Sequence, residues 1–172
     1  MNPLRLLLVT QHFWPLAGGA QRLLANLAVD LAARGCDVTV LTARWHPAWS
    51  AAFHFHGVPV IRLPHAPTGR WGTFRYLVSL ARWLRRNADR FDAVCVSTLE
   101  REAYAALRAL GRRVPVVLRA ERAGARGDCR WQAEARCGRR IARCCQTAVA
   151  VIAPSRLAAE ELAASGYDRQ RI

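Results

Sequence analysis

The sequence predicts an α/β protein built on one doubly wound, mostly parallel sheet of six to seven strands. Three observations lead there. Short, continuous apolar runs such as Leu4–Thr10 and Val114–Leu118 recur along the chain, as strands buried on both faces require. Longer segments between them carry apolar residues at helical spacing. Strand and helix patterns alternate from end to end, which gives parallel neighbours joined by right-handed crossovers.

The first strand, Leu4–Thr10, runs through a loop into a helix over about Gly19–Arg34. In that helix Leu23, Leu24, Leu27, Ala28 and Leu31 recur at helical spacing, and Gly35 is placed to end it. Val38–Thr42 is the second strand. A loop rich in Trp, Pro and His follows, then Phe53–Phe55 and Val58–Leu63 as a hairpin-like pair around Gly57. A second helix covers about Trp71–Ala88, with Trp71, Phe74, Leu77, Val78, Ala81 and Leu84 on its apolar face and Arg75, Arg82, Arg85 and Arg86 on the rest. Asp92–Ser97 is a strand, Leu99–Leu110 a helix, and Val114–Leu118 a strand with Pro115 near its start, where a missing N–H is tolerated. Glu121–Asp128 is a loop, Cys129–Gln146 one helix and Ala148–Ile152 a strand. Ser155 caps a helix over Arg156–Ala164 that Gly166 stops. A further strand is expected to begin near Ile172, since a sheet edge would otherwise stay open.

At 172 residues and 52% hydrophobic content, the chain can form one domain with a sizeable core and is no disordered tail. No stretch approaches the roughly 18 apolar residues of a membrane span. Leu4–Val9 is interrupted by Arg5 and lacks a small-residue cleavage site, so a cytoplasmic location is expected. The net charge is +14, and all 26 basic residues are arginine. They are dispersed, without an aromatic-interleaved basic motif, so nucleic acid is not expected as a partner. A peripheral contact with the anionic inner face of a membrane is compatible with that charge. None of the six cysteines forms a C-x-x-C pair, and no histidine pair follows at finger spacing; no metal site is expected, and reduced thiols are the default. Cys36 and Cys95 read as small core residues, and the cluster from Cys129 to Cys145 as a helix face. His54 and His56 alternate on one strand without a third ligand and read as solvent-exposed.

The chemistry concentrates where strands end. In a parallel sheet, ligands bind at the carboxyl ends, which here means the 11–19 loop, the 97–99 turn, the 119–128 loop and Pro154-Ser155. After the first strand, Gly18 and Gly19 sit at a helix N-terminus, where unpaired amides and the helix dipole suit an anion and the missing Cβ atoms allow close approach. The spacing is neither G-x-G-x-x-G nor G-x-x-x-x-G-K-[ST]. No acidic residue ends the second strand, where Leu41-Thr42-Ala43-Arg44 stands, so a dinucleotide binder is disfavoured. His12 is a candidate contact for a ligand hydroxyl, or is packed by Phe13 and Trp14. Arg119, Glu121 and Arg122 follow another strand and form either a site or an exposed ion pair. Ser155 faces the same end, and Asp128 reads as a helix cap.

Together these segments resemble the N-terminal domain of a family 4 glycosyltransferase, a retaining enzyme of the two-domain GT-B architecture. The carriers are Val9-Thr10-Gln11-His12-Phe13-Trp14-Pro15 with Gly18-Gly19-Ala20, then Arg34-Gly35 followed by Asp37-Val38-Thr39-Val40-Leu41-Thr42. Further along are Gly57-Val58-Pro59-Val60, Phe91-Asp92-Ala93-Val94, Val114-Pro115-Val116-Val117-Leu118 and Ala150-Val151-Ile152-Ala153-Pro154-Ser155. The resemblance covers nearly the whole chain and implies one Rossmann-like, acceptor-side domain over residues 1–172. Its implied reaction moves a sugar from a nucleotide diphosphate sugar to an acceptor, with no cofactor beyond that donor substrate. Gly18 and Gly19 would lie against the donor phosphates, and His12, Arg119 and Ser155 would contact substrate. Glu121 stands about where many relatives carry a histidine near the transferred sugar, which makes it the catalytic candidate. The donor-binding C-terminal domain and its E-x7-E element are not in this sequence, so the chain alone is expected to be inactive without that domain or a partner subunit. The alternative expectation is a non-catalytic docking subunit of a split transferase.

Overall fold

Runs of Leu, Val and Ile that are apolar at every position form the centre of a twisted sheet. The computed structural model describes residues 3–16 and 18–172. Among these, the chain runs β1 (Arg5–Val9), α1 (Gly19–Ala33), β2 (Asp37–Ala43), β3 (Ala52–Phe55), β4 (Val58–Leu63), α2 (Gly69–Asn87) and β5 (Ala93–Ser97). It continues through α3 (Arg101–Leu110), β6 (Val116–Arg119), α4 (Asp128–Glu134), α5 (Gly138–Cys145), β7 (Ala150–Ile152) and α6 (Arg156–Ala164). Single 3-10 turns lie at Ala88–Arg90, Gly124–Arg126 and Arg169–Arg171.

The strand order is β3-β4-β2-β1-β5-β6-β7. All pairings are parallel except β3 with β4, which form the hairpin expected around Gly57. His56 and Gly57 both take positive φ there (47° and 86°), as a two-residue turn joining twisted strands requires. The chain winds outward from β1 through β2 to β4, then returns to the other side of β1 at β5. The order therefore reverses between β1 and β5, and their carboxyl ends part to leave a crevice.

Two apolar layers hold this sheet. On one face Leu24, Ala25 and Ala28 of α1 pack on Leu8, Val38, Val40 and Val60. On the other, α2, α3 and α5 cover Leu7, Val9, Val94, Val96, Val116 and Leu118 through Tyr76, Leu80, Leu84, Ala103, Ala106 and Ile141. Cys36 and Cys95 pack against the first layer as small core residues.

Three local expectations are corrected. The Cys129–Gln146 segment is two helices, because the chain breaks at Ala135, whose ψ of 139° is extended. Gly138 then packs so tightly on the Gln132 carbonyl that a Cβ would collide with it. On α2 the core face is Tyr76, Leu80 and Leu84, while Trp71 and Phe74 are 80% and 58% exposed. The helix is apolar on two sides, and its pattern does not say which side meets the sheet. Lastly, β3 runs into β4 with no helix between them, so strand and helix do not alternate there.

The assignment of α2 is tested by contrast. Leu80→Ala empties a fully buried site and is expected to lower the unfolding free energy by about 2–5 kcal/mol, whereas Trp71→Ala stays within about 0.5 kcal/mol of the parent. Urea unfolding curves measure both.

Candidate functional site

The loop after β1 is held rigidly from the β2–β4 side. The Gln11 carbonyl accepts from Trp45 Nε1 (2.9 Å) and Thr42 Oγ1 (3.3 Å). The buried Arg62 donates to the carbonyls of Trp14 (2.8 Å) and Ser50 (3.0 Å), with its guanidinium over Phe53 (4.1 Å). His12 stacks on Trp45 with ring centroids 4.5 Å apart and planes 13° apart. Its expected neighbours lie elsewhere: Phe13 is in the core and Trp14 is exposed, both against Phe55. Burial lowers the His12 pKa, which keeps the ring neutral near pH 7.

On the opposite wall the loops after β5 and β6 are tied to one carboxylate. Asp128, 1% exposed, accepts from the amides of Glu121 (2.8 Å), Arg122 (3.1 Å) and Leu99 (3.4 Å). It makes no capping bond to its own helix, so the cap expected from the sequence is replaced by a tie between distant loops. Thr98, in this wall, takes φ of 98°, a conformation costly for a β-branched residue and held only by its surroundings. The buried Glu102 accepts from Gln11 Nε2 at 2.6 Å, joining the two walls.

Between the walls lies a cleft of about 450 Å³, lined by Thr10, Gln11, His12, Gly19, Ala20, Gln21, Thr98, Glu100, Glu102, Glu121 and Arg122. One side is the first turn of α1. Among the described residues its first helical hydrogen bond is Arg22 N–H to the Gly18 carbonyl (3.0 Å), and no side chain caps it. The amides of Gly19, Ala20 and Gln21 thus precede the helical ladder, with the positive end of the dipole toward the cleft. Gly19 has open space where a Cβ would point, whereas Gly18 is extended and covered by the Gln21 side chain.

The other side is acidic. Burial raises the Glu121 pKa, with Asp128 adding to the rise and Arg119 and Arg122 opposing it. Glu102 is raised by burial. Glu100 is pushed up to about 7, by burial first and then by the charges of Glu102 and Asp128, although Arg122 pairs with it at 3.2 Å.

Of the residues singled out from the sequence, His12, Gly19, Glu121 and Arg122 line the cleft, and Gly18 does not. Arg119 ends β6 buried at 6% exposure, its Nη1 without a hydrogen-bond partner among the described residues. Arg122, not Arg119, makes the ion pair, and its partner is Glu100. Ser155 caps α6 by accepting from the Ala158 amide (3.2 Å) and lines a separate depression beside β7. His54 and His56 are exposed. The sequence reading missed Glu100 and Glu102. Both follow a strand's carboxyl end, but their segment reads simply as the start of an amphipathic helix.

The doubly wound sheet with a cleft at its switch point is Rossmann-like, as each half of the GT-B architecture is. The chain belongs to the glycosyl transferase 4-like domain family, whose model matches residues 18–172. No match was found among curated proteins. Among solved structures, Anabaena HepE in complex with UDP and glucose superposes with a TM-score of 0.66 and 18% identity, over 98% of this chain and 42% of that one. Sucrose-phosphate synthase from Thermosynechococcus elongatus gives 0.65 and 16%, over 86% of this chain and 41% of that one. UDP-N-acetylglucosamine 2-epimerase from Rickettsia bellii gives 0.61 and 13%, over 98% and 43%. At these identities the likeness is one of fold, and the chain spans about two-fifths of the length of each of these three structures.

Two measurements probe the site's construction. Asp128→Asn turns one acceptor oxygen into a donor facing backbone N–H groups and is expected to lower stability by about 2–3 kcal/mol in urea titrations. Glu100 holds its proton to about pH 7 when folded, against an ordinary value of 4.5. The folded state binds the extra proton in that window, so this group makes stability fall as pH rises through it. Glu100→Gln is therefore expected to gain melting temperature relative to the parent at pH 8 compared with pH 5, as paired thermal melts would reveal.

Proposed function

We propose that this chain is the acceptor-side domain of a retaining glycosyltransferase that moves a sugar from a nucleotide diphosphate sugar to an acceptor. The observation that carries this reading is the two-sided cleft: an uncapped helix N-terminus faces carboxylates of raised pKa across about 450 Å³. The amides at Gly19, Ala20 and Gln21 approach the donor diphosphate, and Gly18, covered by the Gln21 side chain, has no contact with it in this scheme. Glu121 takes a hydrogen bond from the reacting hydroxyl at the sugar site, assisted by neutral His12 and by the buried donor of Arg119. Carboxylates suit sugar hydroxyls, which donate to them. HepE, of similar fold, was solved with UDP and glucose, which supports a nucleotide-sugar donor.

Departure of the diphosphate needs concentrated positive charge. The cleft contributes one lining arginine, Arg122, which is already paired with Glu100. We therefore assign leaving-group stabilisation to a donor-binding domain or partner subunit, and expect this chain alone to be inactive. The same shortage of cations favours, as a second reading, a non-catalytic docking subunit of a split transferase. Ser155 has no role in this scheme.

Transfer of radiolabelled sugar from UDP- and GDP-sugars by the protein isolated from its own cells, with its intact mass, tests both readings. Glu121→Gln is expected to lower kcat at least tenfold with little change in the KM for donor, and Gly19→Val to raise that KM. A mass of 19.2 kDa, activity only after a second subunit is added and an unchanged kcat in Glu121→Gln together select the docking reading. Unchanged kinetics in both variants removes the cleft from the mechanism.

A further inference from the structure

The helix with the largest number of arginines is α2, and its outer side has no part in the cleft. Its 19 residues include Arg70, Arg75, Arg82, Arg85 and Arg86 and no acidic residue. Between α2, α3 and α5 runs a groove of about 730 Å³ whose aliphatic floor includes Leu77, Val78, Ala81 and Ile141. Arg82, Arg85, Arg86, Arg101, Arg108 and Arg140 rim it, and no acidic side chain lines it. None of the six enters an ion pair among the described residues. Arg101 and Arg140 instead lie over Trp131 and Tyr104, at 5.2 and 5.6 Å from the ring centroids. Phe74 closes one end of the groove, edge-on to Trp71 one turn earlier, so the two most exposed aromatic rings of α2 stand together beside its cations.

We infer that this face docks on a lipid bilayer bearing anionic headgroups. An unpaired arginine rim is complementary to phosphate headgroups, which guanidinium binds in bidentate fashion. Exposed Trp and Phe beside such a rim suit the interface, where an aromatic ring buries its apolar body at headgroup depth. The aliphatic floor of Leu77, Val78, Ala81 and Ile141 suits acyl chains beneath the headgroups. Among the described residues no helix is long and apolar enough to cross a membrane. Because α2 starts just after the carboxyl end of β4, Trp71 and Phe74 stand at the end of the sheet where the cleft opens.

Vesicle flotation tests this without any sugar donor, and therefore independently of the transfer chemistry. The chain is expected to float with phosphatidylcholine vesicles containing about 30% phosphatidylglycerol and not with phosphatidylcholine alone. Arg85→Glu with Arg86→Glu should weaken binding about 30-fold or more. Arg34→Glu with Arg169→Glu, an equal change of net charge away from the groove, should weaken it only a few-fold. Trp71→Ser with Phe74→Ser should abolish the binding that survives about 0.5 M salt. Circular dichroism melts check that each variant is folded. Equal loss from both charge reversals, or no effect of the aromatic pair, overturns the docking face. So does binding to RNA or formation of a dimer through α2 in place of vesicle binding.

Discussion

The cleft depends on the burial of one carboxylate. Asp128 sits at 1% exposure with backbone N–H groups from two different strand ends directed at it. A charge in that position is tolerable only because those amides replace its water, and the amides in turn have no nearer partner. The arrangement sets the separation of the β5 and β6 loops, which places Glu121 and Thr98 on one wall. It also anchors α4, whose Gln132 reaches the Leu99 carbonyl (2.7 Å) and the Tyr167 hydroxyl (2.9 Å). One buried acid thus couples the site to the helical layer beneath it, and the loops cannot shift without stripping it of partners.

The two sides of the cleft follow different electrostatic rules. A helix N-terminus offers partial positive charge through fixed dipoles that need no counter-ion and keep their geometry. Burial raises the pKa values of the carboxylates opposite, and the charges of neighbouring carboxylates add to that rise. Formal cations are kept to Arg119 and Arg122 on that wall, and the exposed arginines of α2 lie outside it. The chain's large positive charge is therefore not the charge of its cleft.

How much of this was legible in the sequence follows from how local each cause is. Buried parallel strands announce themselves, since both faces are covered and every position is apolar; β1, β2 and the β3–β4 turn fell within a residue or two of expectation. The α4–α5 break was hidden because its cause is a contact, Gly138 against the Gln132 carbonyl, and nearby composition stays helical. The facing of α2 was hidden by an excess of apolar residues, where Trp71 and Leu80 look equivalent until the sheet chooses between them. Asp128 read as a cap because its partners lie outside its own helix, Arg122 and Glu121 six and seven positions before it and Leu99 29 positions away. In the site, Gly19 and Glu121 were readable from their place after a strand, while Glu102 needed Gln11, 91 positions distant, to become visible.

The wiring of the sheet brings the remaining features together. Parallel strands send every following loop to one end, so the loop after β1, the acids after β5 and β6, and the first turn of α2 share that end whatever their individual roles. For a transferase of this architecture, that has a consequence for substrate access. If the first turn of α2, with Trp71 and Phe74, rests on a bilayer, the cleft lies at the end of the sheet nearest that contact, and an acceptor held in the bilayer by an apolar tail has a shorter path to it than to the opposite end. A water-borne acceptor would gain nothing from α2, and an apolar groove edged with unpaired cations would be only an aggregation liability. The exposure of that groove is therefore easier to reconcile with an amphiphilic acceptor than with a freely diffusing sugar.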